Sequence, residues 1–287
     1  MLRGRLPSQW GNGVNRVAQY VEQNLSSGNG FPESVTLFGI KISNLDFEGA
    51  CNRLEEGIAS KTSGFVVTPN VDHVCKCYRM PAFREMYGRA TLVFPDGVPI
   101  MWASRLLRRP LRNKLSGSDM VPRLCAFAAE KGYSVFFFGG SPGTCEQAAH
   151  RMKTEYPALR VAGTYCPEFG FENKPEQLDA AVEAVRSSGA DLCFIALGTP
   201  KQEFFMDQHH AEMNTILMGV GGTFDFLSGR VRRAPGWMQR AGLEWFWRLM
   251  LEPRRLWRRY LWEDLGFIKI LLHELVTTRP PTPSRPN

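Results

Sequence analysis

The chain has 287 residues, 44% of them hydrophobic and 22% charged, with a formal net charge of +7. That is enough chain to bury a large core, and the balance excludes wholesale disorder. No apolar run approaches the roughly 18 residues of a membrane span, and the opening MLRGRLPSQWGNG lacks an apolar signal core, so the expected location is the cytoplasm.

Residues 1–33 read as a polar N-terminal extension punctuated by Gly and Ser, with one amphipathic helical stretch near 14–25. From VTLFGIKIS onward, short β-branched or aromatic runs alternate with helix-length segments. GFVVTPN (64–70), TLVFPDG (91–97), SVFFFGG (134–140), DLCFIALG (191–198) and TILMGVGG (215–222) are continuous apolar runs. Such runs suit strands covered on both faces, as in a parallel sheet. Helical patterns at 72–87, 118–131, 143–156 and 175–188 fall between them. The prediction is an α/β fold over 34–229, a Rossmann-like, doubly wound, mostly parallel sheet. A helical, Arg/Trp-rich C-terminal appendage follows at 230–276, interrupted at Pro253, and 277–287 is a Pro-rich tail expected to be disordered. The seven cysteines show no paired framework and read as small buried hydrophobes of a reducing compartment.

Between 230 and 259 there are nine arginines against two glutamates, so this segment alone matches the charge of the whole chain. A localised anionic partner is implied. Apolar residues at 238, 243, 246 and 250 predict that 237–250 packs on the core. At about 100° per residue, Arg254, Arg255, Arg258 and Arg259 share one side of a following helix. Leu256, Trp257, Tyr260, Leu261, Ile268 and Leu271 fall around the other. That pattern predicts a membrane-surface helix, with Arg254, Trp257, Arg259 and Tyr260 at the headgroups. The plainer alternative packs the apolar face on the core and leaves the arginines solvated. No groove-reading or RNA-binding motif accompanies the arginines, so nucleic acid is not an expected partner. An Arg-rich nucleic-acid-binding protein, or a non-catalytic membrane-surface protein on the same scaffold, is the competing reading.

In open parallel sheets, ligands bind beyond the carboxyl ends of the strands. Here those ends read TPN, PDG, GGSPGT, GTPKQE and GGTFD. Thr68 and Asn70 are neutral hydrogen-bonders suited to sugar hydroxyls. Asp96 either caps the helix that begins near Gly97 or acts as a general base. Gly139 and Gly140 let the backbone approach a phosphate at a helix start, or make a plain tight turn. Gly198, Lys201 and Gln202 stand at the next helix start. The chain has no P-loop signature, and no dinucleotide fingerprint paired with a ribose-binding acid, which disfavours an NTPase and a dehydrogenase. It has no D-x-D pair and no cluster at metal spacing, so neither metal nor cofactor is expected. Arginines or helix starts must then neutralise any diphosphate.

Together, TPNVDHV (68–74), PDGVPIMWASRLL (95–107), LSGSDMVPRL (115–124), FFFGGSPG (136–143), GTPKQE (198–203) and the long block 220–261 resemble the WecG/TagA/CpsF glycosyltransferases, family 26. The resemblance implies metal-independent, inverting transfer of a sugar from a UDP-sugar donor to a polyprenyl-diphosphate-linked sugar acceptor. It implies a peripheral site on the inner face of the cytoplasmic membrane, and self-association is a further expectation. The proposed base of the family falls on Asp96. Its Thr and Asn after the first core strand fall on Thr68 and Asn70, its glutamine on Gln202, and its appendage arginines on Arg248, Arg255 and Arg258. Where the family commonly has arginine before SGSD, this chain has Lys114-Leu115. Lysine keeps the charge for a phosphate but loses the planar fork.

Overall fold

The computed structural model describes residues 31–258 and 265–277. The amphipathic stretch near 14–25 and the tail from 278 lie outside the described residues, as do Arg259 and Tyr260.

A hairpin opens the fold, β1 (Ser34–Leu37) and β2 (Ile40–Ser43), turned by Phe38 and Gly39 at φ of 55° and 72°. Two successive positive φ angles give the tight turn whose twist matches paired strands. The main sheet has six strands, β3 (Gly64–Val67), β4 (Leu92–Val93), β5 (Ser134–Gly139), β6 (Arg160–Tyr165), β7 (Leu192–Ala196) and β8 (Ile216–Gly219). They are all parallel, in the order β4-β3-β8-β7-β5-β6. The hairpin covers the β4 edge, where the Val93 N–H donates to Ser43 Oγ.

Alternate residues of the apolar strands supply two separate cores. Phe65, Phe136, Phe138, Ile195 and Leu217 face one side. Val66, Phe137, Phe194, Ile216 and Met218 face the other. On the first side pack α2 (Val71–Arg79), α3 (Pro81–Arg89), α4 (Val98–Leu106), α7 (Pro175–Ser188) and α8 (Lys201–Met213). On the second lie α1 (Phe47–Ala59), α5 (Gly117–Lys131), α6 (Thr144–Glu155) and the short α9 (Thr223–Leu227). The sheet is thus doubly wound, as its pattern predicted.

Two details depart from the sequence expectation, and the cysteines agree with it. The single helix expected over 72–87 is two helices, because Pro81 lacks an N–H and pushes Met80 to φ −123°, ψ 99°. Strand β6 was not predicted, since RVAGTY is a half-exposed edge strand rather than a continuous apolar run. All seven cysteines are free, and six are buried; Cys166 is half-buried.

The appendage comprises α10 (Gly236–Arg240), α11 (Glu244–Leu251), α12 (Pro253–Arg258) and α13 (Gly266–Thr277). The expectation that 237–250 packs on the core holds for Met238 and fails for α11. Helix α11 has no buried residue, and Trp245, Phe246, Met250 and Leu251 are exposed. Conversely α13, grouped by sequence with the appendage, returns to the body. It buries Phe267 and Ile270, with the Phe267 ring 5.3 Å from that of Phe38. The helical wheel therefore broke down beyond α12: Ile268 is exposed on a separate helix. No helix among the described residues is long and apolar enough to cross a membrane.

Candidate active site

The ends of β4, β3, β8, β7 and β5 open into one cavity of about 850 Å³. These strands are adjacent in that order, and four interstrand gaps at about 4.8 Å span roughly 19 Å. Thr68, Asn70, Asp96, Gly140, Gly198 and Gln202 line it, with Lys114 from the loop before α5 and Arg248 from α11. Six strand-end residues distant in sequence thus meet two cations.

Asp96 reaches the cavity through its turn. Its N–H donates to Pro69 O over 2.9 Å, and Gly97, at φ 90°, is the residue that caps α4. The carboxylate therefore does no capping, and no donor of the described residues holds it. Burial pushes its pKa up to about 6; Lys114 and His73 oppose the rise, while Glu244 and Asp119 reinforce it. A carboxylate at such a value can take a proton near neutral pH.

Thr68 and Asn70 have structural partners as well as a place on the wall. Thr68 Oγ1 donates to Gly219 O over 3.3 Å, tying β3 to β8. Asn70 caps α2, its Oδ1 accepting from the His73 N–H. Lys114 Nζ lies 2.8 Å from Asp119 Oδ2, and Arg233 contacts the other oxygen of that carboxylate. Burial alone would raise Asp119, but hydrogen bonds from Lys114, Ser116 and Arg233 outweigh it and hold the carboxyl well below the usual range. Arg233 Nε is also 3.4 Å from Glu244 Oε1, so one guanidinium fastens α11 to α5.

The glycine-rich turn after β5 divides its duties. A Cβ on Gly139 would stand 2.8 Å from Ala196 O, so this glycine serves the close approach of β5 and β7, off the cavity wall. Gly140 is on the wall, but its N–H donates to Ala196 O over 2.7 Å. Lys201 points elsewhere, pairing with Glu172 and lying 4.8 Å from the Phe169 ring centroid. Gln202 is buried, its Oε1 accepting from the Gly221 N–H over 3.0 Å.

Arg248 crosses from α11 to the β8 end. Its Nε is buried without a hydrogen-bond partner, its guanidinium is 5.3 Å from the Phe226 ring, and a Cβ on Gly222 would come within 3.1 Å of Nη2. A cation so placed has capacity for an anionic ligand. Arg254, Trp257 and Arg258 are exposed on α12, away from the cavity wall, and Arg258 lies 5.7 Å from the Trp257 ring. Only the backbone of Arg255 is described, within α12.

His73, Asp119, Arg233 and Glu244 were not among the site residues expected from the sequence. His73 had a legible signal, since it stands three residues after Asn70 at capping-box spacing. The others depend on long-range pairing and carry no local signature.

A family profile described as Glycosyl transferase WecG/TagA/CpsF family matches residues 35–281. The chain is 30% identical over 246 residues to a Bacillus spizizenii protein named N-acetylglucosaminyldiphosphoundecaprenol N-acetyl-beta-D-mannosaminyltransferase, covering 83% of this chain and 93% of that one. A Bacillus subtilis protein of the same name is 28% identical over 231 residues, covering 80% and 88%.

Proposed function

Because the chain belongs to the WecG/TagA/CpsF glycosyltransferase family, we propose that its cavity moves an N-acetylmannosamine-type sugar from a UDP-linked donor to a polyprenyl-diphosphate-linked N-acetylglucosamine. The names of the two Bacillus relatives support the sugar and the acceptor. The observation that carries the chemistry is the pairing of an unheld carboxylate, Asp96 at about 6, with the partnerless buried Nε of Arg248 in one cavity. The cavity's length along five strand ends suits an extended nucleotide-sugar.

The reaction is a single displacement. Asp96 takes the proton of the acceptor hydroxyl, whose oxygen attacks the anomeric carbon and inverts it. The bond from that carbon to the diphosphate oxygen breaks, and UDP departs with the electron pair. Arg248 meets the charge that develops on the leaving diphosphate. Lys114 lines the same cavity, already neutralised in part by Asp119. Holding donor and acceptor together supplies much of the remaining acceleration. No step calls for a metal, and turnover is expected to persist in EDTA.

The appendage would rest on the inner face of the cytoplasmic membrane. Exposed Trp245, Phe246, Met250, Trp257 and Arg254 support that reading. It would bring the lipid-linked acceptor to the cavity mouth, where Trp245, Leu265 and Ile268 stand.

The test is a panel of UDP-linked N-acetylmannosamine, its uronic acid, glucose and galactose against short-chain polyprenyl-diphosphate N-acetylglucosamine. Products are read by mass. A gain of one N-acetylhexosamine is expected, and no transfer from any donor would refute the assignment.

A further inference from the structure

The displacement described above makes no use of a buried pair at the cavity wall, where His73 lines the cavity and Glu203 lies behind it. His73 Nε2 stands 3.3 Å from Glu203 Oε1, with side chains 5% and 1% exposed. Two neighbours define the state of this pair. The Asn70 N–H donates to His73 Nδ1 over 3.1 Å, so the proton of the neutral ring is on Nε2 and faces Glu203. Gln202 Nε2 donates to the same Glu203 Oε1 over 2.6 Å. Burial alone would raise Glu203, yet the adjacent His73 ring and the hydrogen bond from Gln202 outweigh it and hold the carboxyl below the usual range.

An ionised carboxylate only accepts hydrogen bonds, and this limits what its neighbours can do. The two ends of a glutamine amide are alike in shape but opposite in hydrogen-bonding sense. Facing Glu203, the Gln202 amide must present its NH₂ group, which turns its oxygen toward the Gly221 N–H at the β8 end. One amide hydrogen remains on a side chain that lines the cavity. With the amide reversed, that site would present an oxygen to an anionic ligand and repel it. The same carboxylate, through His73, also joins the Asn70 cap after β3 to the start of α8 after β7. Three strand ends converge on one buried anion.

We propose that Glu203 is a positioning residue that sets the Gln202 amide to donate toward a phosphate of the nucleotide-linked donor. The proposal rests on the donor reading given above, and its test separates the two. The full chain is prepared as wild type, Glu203→Gln, Gln202→Ala and the double variant. UDP affinity is measured by calorimetry, and the Gln202 side-chain amide is followed by ¹H–¹⁵N NMR, assigned through its loss in Gln202→Ala.

Glu203→Gln is expected to weaken UDP by about tenfold, the scale of one hydrogen bond to a charged group, and to shift the Gln202 amide signal. In the Gln202→Ala background the same change is expected to do nothing further, because the effect runs through that amide. Additive losses, or an unmoved amide signal, would overturn the proposal. Should Glu203→Gln fail to fold, Glu203→Asp, which keeps the charge on a shorter stem, completes the same cycle with the same criteria. A wild type that binds no UDP would refute the donor reading, while a shifted amide signal would still support the coupling of Glu203 to Gln202.

Discussion

The floor of the cavity and its appendage wall are built on opposite principles. The floor is made of strand ends whose polar groups hold one another: Thr68 on Gly219, Asn70 on His73, Gln202 on Glu203 and Gly221. The appendage contributes Arg248, whose buried Nε is unpaired, from an α11 none of whose residues is buried as a whole. A sheet with two apolar cores can hold neutral groups rigidly, whereas cations for a diphosphate must keep unused hydrogen-bonding capacity. Asp96 apart, the floor's polar groups already have partners, whereas the appendage leaves donor capacity unused.

The sharpest way to test this contrast begins at the floor. Asp96→Asn is expected to lower turnover by about 10²- to 10⁴-fold, the range of an acid–base residue, with UDP affinity retained. Steady-state kinetics beside calorimetry checks both. The wild-type kcat/KM should rise about tenfold per pH unit up to the Asp96 value of about 6 and then level off. Stability should show the reverse sign. A carboxyl raised from 3.8 to about 6 favours the protonated folded state, so its stabilising contribution is full below pH 4 and is lost as pH rises through 6. Asp96→Asn should therefore stabilise the fold at pH 7 by on the order of 1–3 kcal/mol, read as a raised Tm.

On the appendage side, Arg248→Ala should cost about 10²-fold in kcat, the scale of removing one donor to a developing charge, with little change in Tm. A large loss of stability with unchanged kcat would break the contrast. Arg233→Ala acts at the joint between the two regions. It frees α11 from α5 and leaves Asp119 with Lys114 and Ser116 as its named partners. About 1–3 kcal/mol of stability should go, read by denaturant melts, together with a smaller fall in kcat than for Arg248→Ala. The smallest effect is expected at the exposed foot. Arg254→Gln should weaken binding to anionic vesicles about fivefold, as one surface arginine contributes near 1 kcal/mol. Transfer to a soluble short-chain acceptor should be unchanged.

How far these features can be read from sequence depends on whether their cause is local. Continuous apolar runs could be recognised as buried parallel strands because both faces of such a strand meet helices. Glycine and polar residues at their ends marked the cavity, since backbone turns there need positive φ, as at Gly97 and Gly140. Strand β6 was hidden because an edge strand lacks that apolar continuity. The split of α2 from α3 was written at Pro81, yet the surrounding helical periodicity overrode it in the pattern reading.

By itself the sequence determined the fold class, the end of the sheet at which the cavity opens, the family, and the concentration of positive charge in one segment. Each follows from neighbours in the chain or from a repeating period. Only the tertiary structure decided which charges are already satisfied. It paired Lys201 with Glu172, put Arg233 between Asp119 and Glu244, left the Arg248 Nε and the Asp96 carboxylate unheld, and set α13 on the core rather than with the exposed helices. The reason is physical: the state of an ionisable group depends on desolvation and on partners brought close by the fold. Residues distant along the chain supply both.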